Sequence, residues 1–242
     1  MKLALIGDPV SHSRSPELHN RFLREADLAG SYVAVRVPKG TAVEMVRRMR
    51  DDGYTGLNVT SPLKEEVVAA CDDLDEEAAM AGAVNTIIFG SQTVGANTDG
   101  IGARSAIEAT MGNAVALERV GVLGTGATAR AILAQLRETD AYAFVWGRDA
   151  TVLSQLCERF EAQPWPPNPP EFVISTLPPE ATLPSKLVAD LQSADIIMDV
   201  NYGERATLAA AIGREVVSGD RMFEAQARAS FNLWMSAAAL RN

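Results

Sequence analysis

A glycine turn, Gly124-Thr125-Gly126, lies between an apolar run, Arg119–Leu123, and a helix-like stretch, Thr128–Arg137. In this Gly-x-Gly-x-x-Ala pattern the first glycine allows a tight turn and the second lets the backbone approach a ligand, while Ala129 allows close packing of helix on strand. The N-terminus of such a helix offers free N–H groups and a partial positive charge. The turn therefore predicts a Rossmann-like sheet with a pyrophosphate-binding site at its edge.

Short strand-like runs alternate with helix-like stretches along the chain, which predicts an α/β fold with mostly parallel sheets covered by helices. In the first half, strands are predicted at Leu3–Ile6, Tyr32–Val37, Leu57–Val59 and Val84–Phe89, and helices at Pro16–Ala26, Ala42–Arg50 and Leu63–Ala70. In the second half, strands are predicted at Arg119–Leu123, Tyr142–Trp146, Phe172–Ser175 and Ile196–Val200, and helices at Gly102–Met111, Thr128–Arg137, Thr151–Phe160 and Arg221–Leu240. Pro16 and Pro62 suit first helical turns, with Ser15 and Ser61 as the expected caps. A proline-rich stretch, residues 164–170, is expected to be a stiff surface connector.

The composition limits the classes of partner. The 242 residues carry a net charge of −9, and an acidic surface repels nucleic acid and anionic lipid. Two cysteines and two histidines supply neither a disulfide framework nor a zinc site, so no metal is expected. The N-terminal apolar run is too short for a signal peptide and no run approaches ~20 apolar residues, so we expect a cytoplasmic protein and no membrane partner.

Polar clusters in the first half follow the predicted strands, where ligands bind in such sheets. They are Ser13-Arg14-Ser15-Pro16, Asn58-Val59-Thr60-Ser61-Pro62-Leu63-Lys64, Asn85-Thr86 and Asn97-Thr98-Asp99-Gly100. A lysine in a first helical turn faces the positive end of the helix dipole, which favours loss of its proton. Because neither histidine is an evident base, Lys64 with Asp99 is the best proton-handling unit, although Lys64 as a solvated charge and Asp99 as a helix cap remain alternatives. Clustered hydroxyls and amides suit a polyol, whose alcohol oxidation needs a hydride acceptor and a base.

The end of the strand Tyr142–Trp146 bears on cofactor choice. It is followed by Gly147-Arg148-Asp149. An acidic residue here favours the ribose hydroxyls of NAD, whereas an arginine favours the 2′-phosphate of NADP. Arg148 therefore favours NADP, Asp149 leaves NAD open, and both residues as solvated loop charges is a third interpretation.

Taken together, these motifs resemble the shikimate dehydrogenase family. The matching segments are the four clusters above, extended by Gly82-Ala83-Val84-Asn85-Thr86, with Gly124-Thr125-Gly126-Ala127-Thr128 and Ala225-Gln226. They occur in the family's order from the first strand to residue 226, which is more specific than the glycine turn alone.

The resemblance implies a substrate domain of residues 1–99 and 220–242, an inserted cofactor domain of residues 100–219, and a groove between them. It implies interconversion of 3-dehydroshikimate and shikimate with NADP, with Lys64 and Asp99 as the catalytic pair. Substrate would be held by Ser13, Ser15, Thr60, Lys64, Asn85, Asp99, Tyr202 and Gln226. Cofactor would be held by Gly124, Thr125, Gly126, Ala127, Thr128, Arg148, Thr176, Val200 and Gly219.

The chain also departs from the family pattern. Ala127 replaces a common glycine, Ser175-Thr176 replaces Asn-Ala-Thr, and Val152 falls where a second phosphate-binding arginine is usual. NAD therefore stays open beside NADP. Oxidation of quinate or amino-shikimate, and a non-catalytic nucleotide- or metabolite-binding regulator, are the alternative functions. A monomer and a homodimer are both open.

Overall fold

The computed structural model describes residues 1–112, 114–116 and 118–239. The chain divides into two compact units, a first unit of Met1–Asp99 with Gln226–Asn242 and a second unit of Gly100–Ala225. The mixed α/β architecture confirms the predicted fold class. The assignment of residues 1–99 and 220–242 to substrate, and of 100–219 to cofactor, stays a prediction.

The first unit is built on a six-stranded mixed sheet with the order β2-β1-β3-β5-β6-β4. Its strands are β1 (Lys2–Gly7), β2 (Ser31–Arg36), β3 (Gly56–Val59), β4 (Asp73–Leu74), β5 (Thr86–Phe89) and β6 (Thr93–Ala96). β1 is parallel to both β2 and β3, whereas β5 is antiparallel to both β3 and β6. As a result β1, β3 and β6 all end at the edge of the sheet where β5 begins.

Helices cover the sheet of the first unit: α1 (Ser15–Glu25), α2 (Ala42–Asp51) and α3 (Glu76–Ala81). Each of the first two presents apolar residues at helical spacing, such as Leu18 and Phe22 in α1 and Val46 and Met49 in α2, and these are buried. One core cluster joins α2 to Ile6, Leu57 and Ile87 on the central strands. The buried apolar residues of these strands stabilise the sheet, and the sheet positions the polar segments that follow the strands.

One predicted helix of the first unit and both predicted serine caps are wrong. Residues 63–70 do not form an α-helix, and only Glu66–Ala70 form a short 3-10 helix. The carbonyl of Lys64 accepts from the N–H of Val84 at 2.8 Å, so it is not available to continue a helical ladder. Lys64 therefore does not sit in the first turn of an α-helix, and Ser61 caps nothing there. Ser15 lies inside α1 and does not cap it; its N–H donates to the Ser13 hydroxyl at 3.2 Å.

The second unit is built on a six-stranded parallel sheet with the order β12-β11-β10-β7-β8-β9. Its strands are β7 (Arg119–Leu123), β8 (Tyr142–Trp146), β9 (Gln163–Pro164), β10 (Phe172–Ser175), β11 (Ile196–Asp199) and β12 (Val217–Ser218). The strand order reverses direction between β7 and β10. In open parallel sheets, ligands bind beyond the carboxyl ends of the strands at this reversal.

The remaining helices lie wholly or partly in the second unit. They are α4 (Asp99–Met111), α5 (Ala127–Arg137), α6 (Ala150–Phe160), α7 (Ser185–Leu191), α8 (Leu208–Ile212) and α9 (Asp220–Ala239). Leu240, the last residue of the predicted C-terminal helix, lies outside the described residues. The proline-rich stretch contributes Pro164 to the edge strand β9, and Trp165 and Pro170 pack over Gly121, where a Cβ would come within 2.7 Å of Trp165. The connector thus covers the sheet as well as lying on the surface.

From Gln226 onwards α9 belongs to the first unit. Trp234 is fully buried there, and its indole Nε1 donates to the carbonyl of Ile87 at 2.9 Å. A Cβ at Gly56 would lie 2.2 Å from that indole nitrogen, so only glycine lets the ring reach the sheet. This contact fixes the position of α9 against β3 and β5.

Candidate active site

The strand registers of the first unit bring the predicted polar clusters to one edge. Ile6 pairs with Val59, Asn58 with Thr86, and Thr86 with Ala96. The segments that follow β1, β3 and β6, and the residue that precedes β5, therefore lie side by side. Lys64, Asn85 and Asp99, which are far apart in sequence, meet there.

Lys64 and Asp99 form a buried ion pair. Lys64 Nζ lies 2.5 Å from Asp99 Oδ2, and the two side chains are only 12% and 8% exposed. Asp99 is the first residue of α4, where the helix dipole favours a carboxylate. The expected proximity of the two side chains is found, and their catalytic role stays a prediction. A desolvated pair of this kind positions a proton more tightly than a solvated lysine would.

Asn85 fixes the second oxygen of Asp99. Its Nδ2 donates to Asp99 Oδ1 at 2.6 Å, and its Oδ1 accepts from the Thr98 N–H at 2.9 Å and from the Thr86 hydroxyl at 2.8 Å. The side-chain amide is buried, and these partners determine which way it faces. The carboxylate of Asp99 is therefore held on both oxygens, by Lys64 and by Asn85.

Asp75 and Asn97 fix the backbone of the segment that carries Asp99. The Asn97 Oδ1 accepts from the Asp99 N–H at 3.0 Å, and the Asn97 N–H lies 3.3 Å from both oxygens of Asp75. Asp75 also caps α3 by accepting from the Ala78 N–H at 2.7 Å. Burial raises the pKa of Asp75 to about 6, against the lowering effect of the Ala78 N–H. A titratable group thus supports the segment that carries Asp99.

Sequence reasoning missed a buried hub, Ser230 on α9. Its hydroxyl lies 2.7 Å from the Thr86 hydroxyl and 3.1 Å from the Thr98 hydroxyl, accepts from Asn58 Nδ2 at 3.1 Å, and donates to the carbonyl of Gln226 at 3.0 Å. The available signal is its spacing of four residues from Gln226, which places both on one face of a helix. The hub ties α9 to the polar edge.

The remaining predicted substrate residues lie in the same unit, with one exception. The Ser13 hydroxyl donates to the Ser15 hydroxyl at 3.1 Å, just after β1. Thr60 follows β3, and a Cβ at Gly7 would meet its methyl group at 2.3 Å, so Gly7 permits the close approach of the two segments. The Gln226 carbonyl accepts from Thr98 at 3.1 Å. Tyr202 belongs to the second unit, where its ring lies 4.6 Å from that of Phe223.

The glycine turn of the second unit has the geometry of a phosphate-binding loop. Gly124 has a φ of +113°, and a Cβ there would come within 2.4 Å of the Thr176 hydroxyl. Gly126 precedes α5, and a Cβ placed on it would meet no atom within 4 Å. Ala129 is fully buried. The turn therefore leaves open space beside Gly126 at the N-terminus of α5, which fits a pyrophosphate.

Other predicted cofactor residues lie at the carboxyl ends of the neighbouring strands. The Thr176 hydroxyl donates to the Leu123 carbonyl at 2.8 Å, which ties the end of β10 to the glycine turn. A Cβ at Gly219 would lie 2.3 Å from the carbonyl oxygen of Val200, so these two residues are in backbone contact. Thr125, Ala127 and Thr128 lie in the turn and the start of α5. Their roles toward a cofactor stay predictions.

Asp149 is a helix cap in this structure, not merely a solvated loop charge. Its Oδ1 accepts from the N–H groups of Thr151 at 2.9 Å and Val152 at 3.1 Å, at the start of α6. Arg148 is exposed and makes no hydrogen bond or ion pair within the described part of the chain. An arginine and an acidic cap thus stand next to each other at the end of β8.

Two further features bear on ligand class. Across residues 1–112, 114–116 and 118–239, no group of three or more His, Cys, Asp or Glu side chains is placed to hold a metal ion. None of the helices described is long and apolar enough to span a bilayer.

A parallel sheet with a glycine turn of this geometry, in a chain that also carries a buried lysine–aspartate pair, is typical of two-domain α/β oxidoreductases. Residues 5–87 match the family model described as the shikimate dehydrogenase substrate binding domain. The chain is 34% identical to the shikimate dehydrogenase (NADP(+)) of Exiguobacterium sibiricum, over 96% of this chain and 91% of the relative, and 32% identical to that of another Exiguobacterium species, over 97% and 92%.

The fold leads to the same family. The crystal structure of shikimate 5-dehydrogenase from Thermus thermophilus in complex with NADP(H) and shikimate superimposes with a TM-score of 0.84 at 30% identity, over 98% of this chain and 94% of that chain. The chain belongs to the shikimate dehydrogenase family, which confirms the resemblance predicted from the sequence.

Proposed function

We propose that this chain is an NADP-dependent shikimate dehydrogenase that interconverts 3-dehydroshikimate and shikimate. The observation that carries the proposal is the buried Lys64–Asp99 pair, fixed by Asn85 at the edge where the polar segments of the first unit converge. Membership of the family supports it, because the relatives compared above are named shikimate dehydrogenase (NADP(+)).

Reduction of a ketone to a secondary alcohol adds a hydride to carbon and a proton to oxygen. When bound, NADPH would supply the hydride for reduction and NADP⁺ would accept it for oxidation. Lys64 Nζ gives its proton to the ketone oxygen during reduction and takes it back during oxidation. Asp99 holds Nζ in one position, and Asn85 prevents the carboxylate from turning away. The chain thus provides a fixed proton path to one oxygen of the ring.

The same edge supplies groups that suit a polyhydroxy carboxylate. Ser13 and Ser15 would donate hydroxyl hydrogen bonds to the substrate carboxylate. The ring hydroxyls would be held by Thr60, Asn85, Asp99 and Gln226 of the first unit. Tyr202, which belongs to the second unit, is assigned the same role as part of the proposal. Toward the cofactor, the residues of the glycine turn would hold the pyrophosphate, Arg148 the 2′-phosphate, and Val200 and Gly219 the nicotinamide end. Thr176 is proposed as a further cofactor-binding residue. Each assignment is part of the proposal.

The decisive experiment compares Lys64→Ala with Lys39→Ala, an exposed lysine of the same unit. Shikimate oxidation is followed through NADPH formation, with quinate assayed in parallel. We expect wild-type turnover of shikimate, unchanged turnover in Lys39→Ala, and a loss of about 10²–10⁴-fold in kcat for Lys64→Ala. If the enzyme oxidises quinate but not shikimate, quinate is the substrate and the proposed reaction is wrong. If it oxidises neither compound, the proposal fails. A Lys64→Ala kcat within about tenfold of wild type would remove Lys64 from catalysis.

A further inference from the structure

We propose that Asp149 makes the cofactor site discriminate weakly between NADP and NAD, so that the two dinucleotides bind with similar affinity. The inference rests on the proposed function, since it concerns the cofactor of that reaction. The glycine turn fits a dinucleotide pyrophosphate. The end of β8, however, is a poorer fit for the additional 2′-phosphate on the adenosine ribose of NADP.

The geometry at the start of α6 is the first support. Free N–H groups at a helix N-terminus after β8 would offer hydrogen bonds to a phosphate. In this chain the Asp149 carboxylate already takes two of them, from Thr151 and Val152. Its other oxygen, Oδ2, makes no hydrogen bond within the described residues and is left to accept from a ribose hydroxyl. The Asp149 carboxylate thus occupies the place at the start of α6 where a phosphate would otherwise accept these hydrogen bonds.

The charge balance is the second support. Arg148 is the cation that the sequence provides at this position, and Val152, whose N–H bonds to Asp149, carries no charge. The formal charges of Arg148 and Asp149 cancel. A phosphate monoester carries about −1.5 to −2 charges near neutral pH, whereas a ribose hydroxyl carries none. The site therefore offers the 2′-phosphate little net attraction and offers the hydroxyl of NAD a carboxylate acceptor.

The size of the effect follows from Coulomb's law. Two unit charges ~5 Å apart in a water-like medium change an affinity by about fourfold, and a phosphate with nearly two charges by about tenfold. Because Asp149 is exposed, added salt reduces this effect. Removal of the Asp149 charge should thus favour NADP by about tenfold at low ionic strength.

Isothermal titration calorimetry with NADP⁺ and NAD⁺, which differ by the 2′-phosphate, tests the inference directly. For the wild type we expect dissociation constants within about tenfold of each other. Asp149→Asn removes the charge and retains a good helix cap, so NADP⁺ should bind about tenfold tighter while NAD⁺ changes less than threefold. Arg148→Ala should weaken NADP⁺ only. The control, Glu138→Gln, removes one exposed charge at the far end of α5 and should change neither constant.

Two results would overturn the inference: a wild type that binds NADP⁺ more than about a hundredfold tighter than NAD⁺, or an Asp149→Asn variant with an unchanged ratio. Asp149→Ser, which also retains a cap, serves if the asparagine variant does not fold. The proposed function fails in a different way, through absence of shikimate turnover with either dinucleotide while both still bind. The two failures are therefore distinguishable.

Discussion

The polar edge of the first unit and the glycine turn of the second unit are built on opposite principles. At the polar edge, Asn85, Thr98 and Asp99 are buried, and each is held by neighbouring side chains. At the glycine turn, a Cβ on Gly126 would meet no atom within 4 Å, and the neighbouring Arg148 is exposed. One site is preorganised by side chains, whereas the other presents backbone N–H groups to open space.

This difference teaches where the chain can tolerate change. A side-chain network loses its function when one member is removed, because the remaining polar groups stay buried without partners. A backbone site keeps its donors whatever side chains surround it. The departures from the family pattern at Ala127, Ser175-Thr176 and Val152 all fall in the second unit, which agrees with that distinction.

The largest effect should come from the lysine–aspartate pair. Lys64→Ala and Asp99→Ala should each lower kcat by about 10²–10⁴-fold, and the double variant should be no slower than the worse single variant by more than about threefold, because the two side chains act as one unit. Steady-state kinetics of the wild type, the two single variants and the double variant complete this double-mutant cycle. Losses that multiply would show that the two residues act independently and would break the contrast between the two sites.

Much of the fold can be predicted because apolar runs bounded by turn residues leave little choice. β7, β8 and β10 are predicted at their observed bounds from such runs. β4, β9 and β12 are not, because strands of two residues carry no period. The α-helix predicted at residues 63–70 is wrong, because a contact with Val84, distant in sequence, takes the Lys64 carbonyl. Local pattern cannot anticipate that contact.

The candidate site can be predicted as a set of residues but not as a network. The segments of Lys64, Asn85 and Asp99 each follow or precede a strand, and that local rule locates them. Their pairing depends on the antiparallel placement of β5 between β3 and β6, which the sequence leaves open. Asp75 and Ser230 have no motif of their own, since their roles arise only after these segments meet.

The next effect tests the cost of burying polar groups in the first unit. His19 is fully buried, stacks on Tyr32 at 4.4 Å, and has no hydrogen-bond partner for either ring nitrogen among the described residues. Burial lowers its pKa from 6.5 to about 3, and the positive charge of Arg228 acts in the same direction. The unfolded chain then binds more protons, so stability from this group is present above pH 6.5 and is lost as pH falls toward 3.

At pH 4.5 the loss amounts to about 2–3 kcal/mol. His19→Leu has a similar volume, so we expect a free energy of unfolding within about 1.5 kcal/mol of wild type at pH 7.5 and a gain of about 2–3 kcal/mol relative to that baseline at pH 4.5. Urea unfolding at both pH values measures it. His12→Gln, at an exposed histidine, is the control and should leave the pH dependence unchanged. Equal acid sensitivity of wild type and His19→Leu would disprove the assignment.

A smaller effect separates two glycines of the turn. Gly124→Ala places a Cβ at a φ of +113° and against Thr176, so we expect a loss of about 1–3 kcal/mol in stability and weaker NAD⁺ binding. Gly126→Ala should leave stability unchanged, because its φ of −79° suits alanine and space surrounds it. It should still weaken NAD⁺ by about tenfold, if that space takes the pyrophosphate. Urea unfolding measures the stability of each variant, and calorimetry measures its NAD⁺ affinity. Full NAD⁺ affinity in Gly126→Ala would show that the pyrophosphate does not bind beside Gly126.

The smallest effect concerns Asp75, which is linked to Asp99 by two hydrogen bonds through Asn97. Its pKa is raised from 3.8 to about 6 by burial, so stability from its protonated form is present below pH 3.8 and is lost as pH rises through 6. Asp75→Asn keeps the cap of α3, and its stability relative to wild type should rise by about 1–2 kcal/mol between pH 4 and pH 7.5, a value discounted for partial exposure. Urea unfolding at the two pH values measures the shift. With Asn97 still held by an amide oxygen, kcat should stay within about threefold of wild type. A loss of kcat as large as that of Asp99→Ala would contradict this expectation. It would show that Asp75 is part of the preorganised network, because stability and catalysis would then depend on the same carboxylate.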